Sequence, residues 1–239
     1  MPAIWLHEDG LKVFGWGPRS TVRGSTAIAA LQLYVTMLTR SQELWRGERC
    51  LLTCEDTYNR LSVVTGLSRA LVAAGVEGLV EAERIVVEKE GRNNLYIFPD
   101  YDQSGRWCKL PARALYNKRF EYIEPFKHFH KRAKCELDAL KLFLFYAANR
   151  DNYSYYSMCS FETINTKTGV AEKQIPPANS FLVSTGLVTK IDREQSEKGS
   201  HRKEANKYFL RGNGELTFSP KTTASSRPTG PTKVPARTI

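Results

Sequence analysis

Apolar residues recur every three or four positions over Ile28, Leu31, Val35 and Leu38, the spacing of a helix with a buried stripe. The same spacing returns over Leu137, Leu140, Leu144 and Ala147. A short segment of strand character follows each, Cys50-Leu51-Leu52-Thr53 and then Ser154-Tyr155-Tyr156-Ser157-Met158. Next comes a short amphipathic helix, carrying Tyr58, Leu61 and Val64 in the first case and Phe161 and Ile164 in the second. Thr65-Gly66 and Thr168-Gly169 close those helices, because glycine tolerates the positive φ found just past a helix end. In the first case a further helix starts at once, with Ser68 as N-cap and Leu67, Val72, Val76 and Leu79 facing inward. The chain then turns extended over Ile85-Val86-Val87, passes a polar turn at 88–94 and returns as Leu95-Tyr96-Ile97-Phe98, a hairpin pattern. Helix, strand, helix, turn, helix, hairpin is the predicted order.

The pattern is an internal repeat in three blocks. Ala30-Leu31-Gln32-Leu33-Tyr34-Val35 matches Ala139-Leu140-Lys141-Leu142-Phe143-Leu144 at an offset of 109 residues. Leu61-x-x-x-Thr65-Gly66-Leu67 matches Ile164-x-x-x-Thr168-Gly169-Val170 at 103, and Val72, Leu79 and Arg84-Ile85 fall on Ile175, Leu182 and Leu187-Val188 at that offset. Asn94-Leu95-Tyr96-Ile97 matches Asn206-Lys207-Tyr208-Phe209 at 112. The changes of offset predict a longer loop around Glu43–Glu48 in the first copy and a longer hairpin tip in the second. Together these readings predict an α+β fold, mainly helical, with an N-terminal extension at 1–24, modules at 25–99 and 135–212, a connector at 100–134 and a disordered tail at 213–239.

Leu61-Ser-Val-Val-Thr-Gly-Leu-Ser-Arg-Ala-Leu-Val72 with Leu79-Val-Glu-Ala-Glu-Arg-Ile85 resembles the core of winged helix-turn-helix DNA-binding domains. Leu182-Val-Ser-Thr-Gly186-Leu187-Val188 resembles the end of that pattern in the second copy. As a tandem, the chain is similar to replication initiators and regulators of plasmids, phages and integrative elements. The resemblance implies a duplex DNA-binding protein of that kind. It departs from the pattern at Glu83, where the family has glycine before the wing. It departs again at Pro176-Pro177, within the expected second recognition helix, where an interior proline costs about 3 kcal/mol. A short helix beginning near Ile175 reconciles the prolines with the pattern; a module that has lost groove reading and serves packing is the other possibility.

Charge changes the picture only when divided along the chain. The net +10 resolves into +1 over 1–24, −1 over 25–99, +5 over 100–134, +1 over 135–216 and +4 over 217–239. The excess lies in the connector and the tail, where a polyanion would first be met. The connector interleaves Arg106, Lys109, Arg113, Lys118, Arg119, Lys127, Lys131, Arg132 and Lys134 with Trp107, Tyr116, Phe120, Tyr122, Phe126 and Phe129. Its aromatics are expected to pack the modules together while its basic residues meet phosphates. Five scattered cysteines, an odd number, argue against a disulfide framework. Cys50 and Cys54 have the spacing of a zinc-binding pair, but His128 and His130 stand two apart rather than at the wider spacing of structural sites, so neither metal nor cofactor is expected. No apolar run approaches membrane-spanning length and no signal-peptide pattern opens the chain, so a cytoplasmic protein is expected. No phosphate-binding loop or hydrolase motif is present, and no enzyme is expected.

Within the family pattern, the base-reading candidates are Ser68, Arg69 and Ala73 in the first copy and Lys173, Gln174 and Asn179 in the second. Lys89, Arg92 and Asn93 in one wing, and Lys198, Arg202 and Lys203 in the other, are candidates for phosphate or minor-groove contact. Lys127, Lys131 and Arg132 of the connector add phosphate affinity. Partners beyond DNA would be a second copy of the chain or replication and transcription machinery. Because both modules are nearly neutral, a protein-interaction role without sequence-specific DNA binding is the alternative.

Overall fold

The structure, a computed structural model, describes residues 2–91, 93–101, 108–150, 154–193 and 205–216. The chain opens with α1 (Ile4–His7), two short parallel strands β1 (Phe14–Gly15) and β2 (Val22–Arg23), and the long helix α2 (Gly24–Thr39). The expected N-terminal extension contributes directly to the core: Leu6, Leu11 and Phe14 are fully buried, and the Trp5 indole N–H donates to the Tyr34 hydroxyl at 2.8 Å. Then come β3 (Gln42–Arg46), β4 (Arg49–Asp56), α3 (Tyr58–Thr65), α4 (Arg69–Glu81), β5 (Val86–Glu90) and β6 (Asn93–Phe98). The region expected as a loop around Glu43–Glu48 is a β-hairpin, with Gly47 in the left-handed region at its tip and Gln42 opposite Thr53. The short helix α5 (Ala112–Leu115) leads to the second half: α6 (Lys134–Ala148), β7 (Ser157–Cys159), α7 (Phe161–Thr168), α8 (Ile175–Ser184), β8 (Val188–Arg193) and β9 (Asn206–Leu210). The fold is α+β, with antiparallel sheets. Among the described residues no single helix is long and apolar enough to cross a membrane.

The two halves repeat one topology. In each, the strand after the first long helix pairs with the last strand, which pairs with the one before it: β4–β6–β5 in the first half and β7–β9–β8 in the second. The repeated sequence blocks coincide with repeated hydrogen bonds. Thr65 and Thr168 each donate to the carbonyl four residues back, at 2.6 and 2.7 Å, and accept the N–H two residues on. Gly66 and Gly169 both take φ of 71° between them. Asn94 donates to the Tyr96 hydroxyl at 3.2 Å and Asn206 to the Tyr208 hydroxyl at 3.4 Å. Thr57 and Ser160 cap α3 and α7, each accepting from the N–H three residues on at 3.2 Å.

The buried residues form one continuous cluster that runs through both halves. α2 packs against both α4 and α6, which explains why every residue from Ala27 to Leu38 is buried. α4 approaches α2 closely because Gly75 leaves room: a Cβ there would lie 2.7 Å from Leu33 Cδ1 and 3.1 Å from the Ala29 carbonyl carbon. One position of the repeat carries a buried polar group in both halves. Gln32 is fully buried with neither amide atom hydrogen-bonded among the described residues, and Lys141 is 5% exposed. Burial pushes the Lys141 ammonium down to about 8, against the raising effect of Asp138, with Lys134 and Lys12 adding repulsion.

Glu83 keeps the turn that the family pattern gives to glycine. Its φ is 59°, against 76° for the corresponding Gly186, so a non-glycine residue here bears the left-handed conformation. The prolines fit as the shorter-helix reading expects. α8 begins at Ile175 and Pro176 falls in its first turn, where a missing N–H is no loss.

Candidate nucleic-acid interface

α4 is positioned by its packing on α2 and by the Ser68 cap, whose hydroxyl accepts from Leu71 N–H at 3.3 Å. Val72, Val76 and Leu79 face the core, which turns Arg69 and Ala70 outward at the helix entrance. Arg69 makes no ion pair or side-chain hydrogen bond among the described residues. Arg69 is the first residue of α4, so its charge belongs to the helix end where the backbone dipoles already give positive potential. Ala73 is half-buried, while Glu77 and Glu81 are exposed further along the helix. In the adjoining hairpin Lys89 is exposed, but Asn93 is engaged, donating to Glu55 Oε1 at 2.6 Å. Glu88 there holds Arg46 at 2.8 Å. Arg92 lies outside the described residues, as do Lys198, Arg202, Lys203, Arg106, Trp107 and the tail from 217.

The second half presents a different surface. Lys173 is exposed and Gln174 half-buried, both in a single 3-10 turn that precedes α8 rather than in the helix itself. Asn179 is not a surface reader. It is 6% exposed, and its Oδ1 accepts from the Tyr146 hydroxyl at 2.9 Å. The repeat held the signal, since Asn179 stands at the offset of Val76, a core position. The outward residues of α8 are Pro176, Pro177, Ser180, Val183 and Ser184. Both hydroxyls turn back onto their own helix, Ser180 to the Pro176 carbonyl at 3.1 Å and Ser184 to that of Phe181 at 2.9 Å. A cleft of about 500 Å³ separates this face from the hairpin, walled by Phe161, Val183 and Ile191 with Arg193 among its lining residues.

The connector joins the halves through its backbone and rings. Ile123 N–H donates to the Val64 carbonyl of α3 at 3.0 Å. Phe126 and Phe129 are 1% exposed, and Phe129 meets Phe181 of α8 edge-on at 4.9 Å. Between them Lys127 is exposed, its Nζ 3.5 Å above the Tyr122 ring. Lys131 is half-buried in a left-handed turn, and burial lowers its pKa while Glu136 opposes that shift. Arg132 is exposed, and its N–H donates to Glu136 at 2.8 Å. Glu136 also accepts from the N–H groups of His130 and Ala133, so one buried carboxylate shapes the basic turn.

Phe120 corrects the expectation that the connector aromatics belong to the core, since it is 52% exposed. It lies beside Tyr116, with ring centroids 6.1 Å apart, at a cleft of about 440 Å³ that also takes in Thr39, Arg40 and Arg113. Sequence reading had no means of adding Arg40 to the connector, because only the tertiary fold brings the end of α2 to α5. No protein-family model matches the chain, and neither a curated protein nor a solved structure does.

Proposed function

We propose that the chain binds duplex DNA through two winged helix-turn-helix modules, as a replication initiator or transcriptional regulator of a mobile genetic element. One observation carries this reading: the order helix, strand, helix, helix, hairpin, with the same strand order, occurs twice. In such modules the third helix enters the major groove, N-terminal end first, and the hairpin lies beside it. α4 is then the reader of the first module, with Arg69 suited to the two acceptors on a guanine edge. Lys89 and Arg92 would meet backbone phosphates from its wing. α8 offers no charged side chain outward, so the second module contributes Lys173 ahead of the helix and Lys198, Arg202 and Lys203 from its wing. Lys127, Lys131 and Arg132 supply affinity without choosing sequence. The mobile-element role rests on the tandem resemblance.

The test is an electrophoretic shift with random duplex DNA at 50 and 200 mM salt. Neutralising even about four phosphates makes affinity fall on the order of 100-fold over that range. No shift at 50 mM overturns the reading. Trp45, 60% exposed on the β3–β4 hairpin, then favours the second reading, a module that docks protein.

A further inference from the structure

We propose that the cleft between the end of α2 and α5 takes an unpaired nucleobase of single-stranded DNA, with its phosphate on the cleft's basic rim. The proposal rests on the DNA-binding reading and adds a second kind of DNA site, away from α4 and the hairpins. Its floor is fixed. The Tyr116 hydroxyl and Thr39 Oγ1 share a hydrogen bond of 3.0 Å, and Arg40 Nε is held by Asp56 Oδ2 at 2.7 Å. Its open wall is Phe120, an exposed ring at φ of 59°. A bulky side chain rarely adopts that conformation, and it persists only where the surroundings impose it. Here the turn imposes it: Phe120 N–H donates to the Asn117 carbonyl at 3.0 Å, and the Asn117 side chain accepts Glu121 N–H at 2.8 Å. The ring leans on Tyr116 yet stays half exposed, whereas Tyr116, Ile123, Phe126 and Phe129 around it in sequence are all buried.

The chemistry of the rim selects the occupant. Arg113 lines the cleft, and Lys118 and Arg119 immediately precede Phe120 in the chain; all three are exposed and make no ion pair among the described residues. Of the nearby carboxylates, Asp56 is committed to Arg40 and Arg60, and Glu121 accepts from Asn117. A held aromatic face with the unpaired Arg113 beside it is what stacking a base and binding its phosphate require, and any base serves because each has a π-face. In a duplex those faces are already stacked, so the ring discriminates in favour of an unpaired strand. A free nucleotide offers the same chemistry without a strand.

Fluorescence anisotropy of the full chain, with a labelled oligothymidine and with a labelled duplex, tests the site. Phe120→Ala should weaken single-strand binding about tenfold or more and leave duplex binding unchanged, while Phe120→Trp restores it. Phe120→Gly, which suits the positive φ, removes the ring without disturbing the turn and should behave as Phe120→Ala does. Arg113→Ala should weaken single-strand binding and flatten its salt dependence. If the single strand binds alone and answers to Phe120, the cleft stands and the duplex reading falls. If the duplex binds while single-strand binding ignores both Phe120 variants, the cleft falls and the duplex reading stands. If neither DNA binds, both fall. A nucleoside monophosphate that competes as well as the oligomer assigns the cleft to a free nucleotide and overturns the strand proposal.

Discussion

In the first half α4 lies close on α2 through Gly75, starts on a Ser68 cap and turns Arg69 outward. In the second half the corresponding positions are Ala178, Ala171 and Glu172, so the close approach, the cap and the positive charge are all replaced. The α8 helix gains other supports. Phe181 stands where α4 has Gly78 and packs on Phe129 of the connector, and Asn179 stands where α4 has Val76 and bonds to Tyr146. The comparison teaches that the turn hydrogen bonds and strand pairing maintain the topology, while the outward chemistry of the third helix is free to diverge. One half carries a cation at the helix entrance. In the other, the third helix rests on the connector.

The strongest test removes the prop peculiar to the second half. Phe129→Ala should destabilise the protein by about 3–5 kcal/mol, measured by urea denaturation, because a buried ring is replaced by a cavity. A loss below about 1 kcal/mol would mean α8 does not depend on the connector.

Next in size is the polar position shared by the long helices. Lys141 has a folded pKa of about 8, below its unfolded value, so at pH 7 both states are protonated and the fold bears the burial cost. Between about pH 8 and 10.5 the unfolded chain binds the proton that the folded state has released, and stability rises with pH. Lys141→Met should therefore stabilise by about 2–3 kcal/mol at pH 7, with the advantage shrinking toward pH 10. Denaturation midpoints of both proteins across pH 6.5–10 check this, and an advantage that does not shrink contradicts the assignment.

The contrast between helix entrances is sharpened by Arg69→Ala and Glu172→Ala. The first should cost about 1–3 kcal/mol on a preferred duplex and relax discrimination at one base pair; the second should cost nothing. Quantitative shifts on a site selected from random duplexes decide between them. Equal effects would erase the proposed division between a reading and a holding module.

The smallest effect concerns the turn before each hairpin. Glu83→Gly should stabilise by about 0.5–1 kcal/mol, since it removes left-handed strain at some cost in unfolded-state entropy. Gly186→Ala should destabilise by a similar amount, about 1 kcal/mol. Midpoints in urea would show whether the two turns are equivalent.

The repeat was legible because its blocks encode short-range bonds. Thr65-Gly66 and Thr168-Gly169 close their helices within four residues, and Asn94 reaches a tyrosine two residues away. What escaped had either no apolar pattern or a distant partner. β3 reads as loop because Gln42-Glu43-Leu44-Trp45-Arg46 is mostly polar, faces solvent and shows no period-two apolar alternation. Asn179 looked like a reader because a lone asparagine on a short helix reads as polar surface. Its burial follows from Tyr146, 33 residues earlier.

By itself, the amino-acid sequence determined the α+β class, the doubled order of elements, the helix ends and the place where positive charge gathers. Each of these follows from neighbours a few residues apart, where periodicity, capping and φ preference act directly. The tertiary structure alone decided that the first residues lie in the core, that α8 rests on Phe129, and that Arg40 meets Arg113 and Phe120 at one cleft. Those outcomes depend on which buried surfaces find each other across tens of residues, and apolar burial is non-directional, so no local pattern announces its partner.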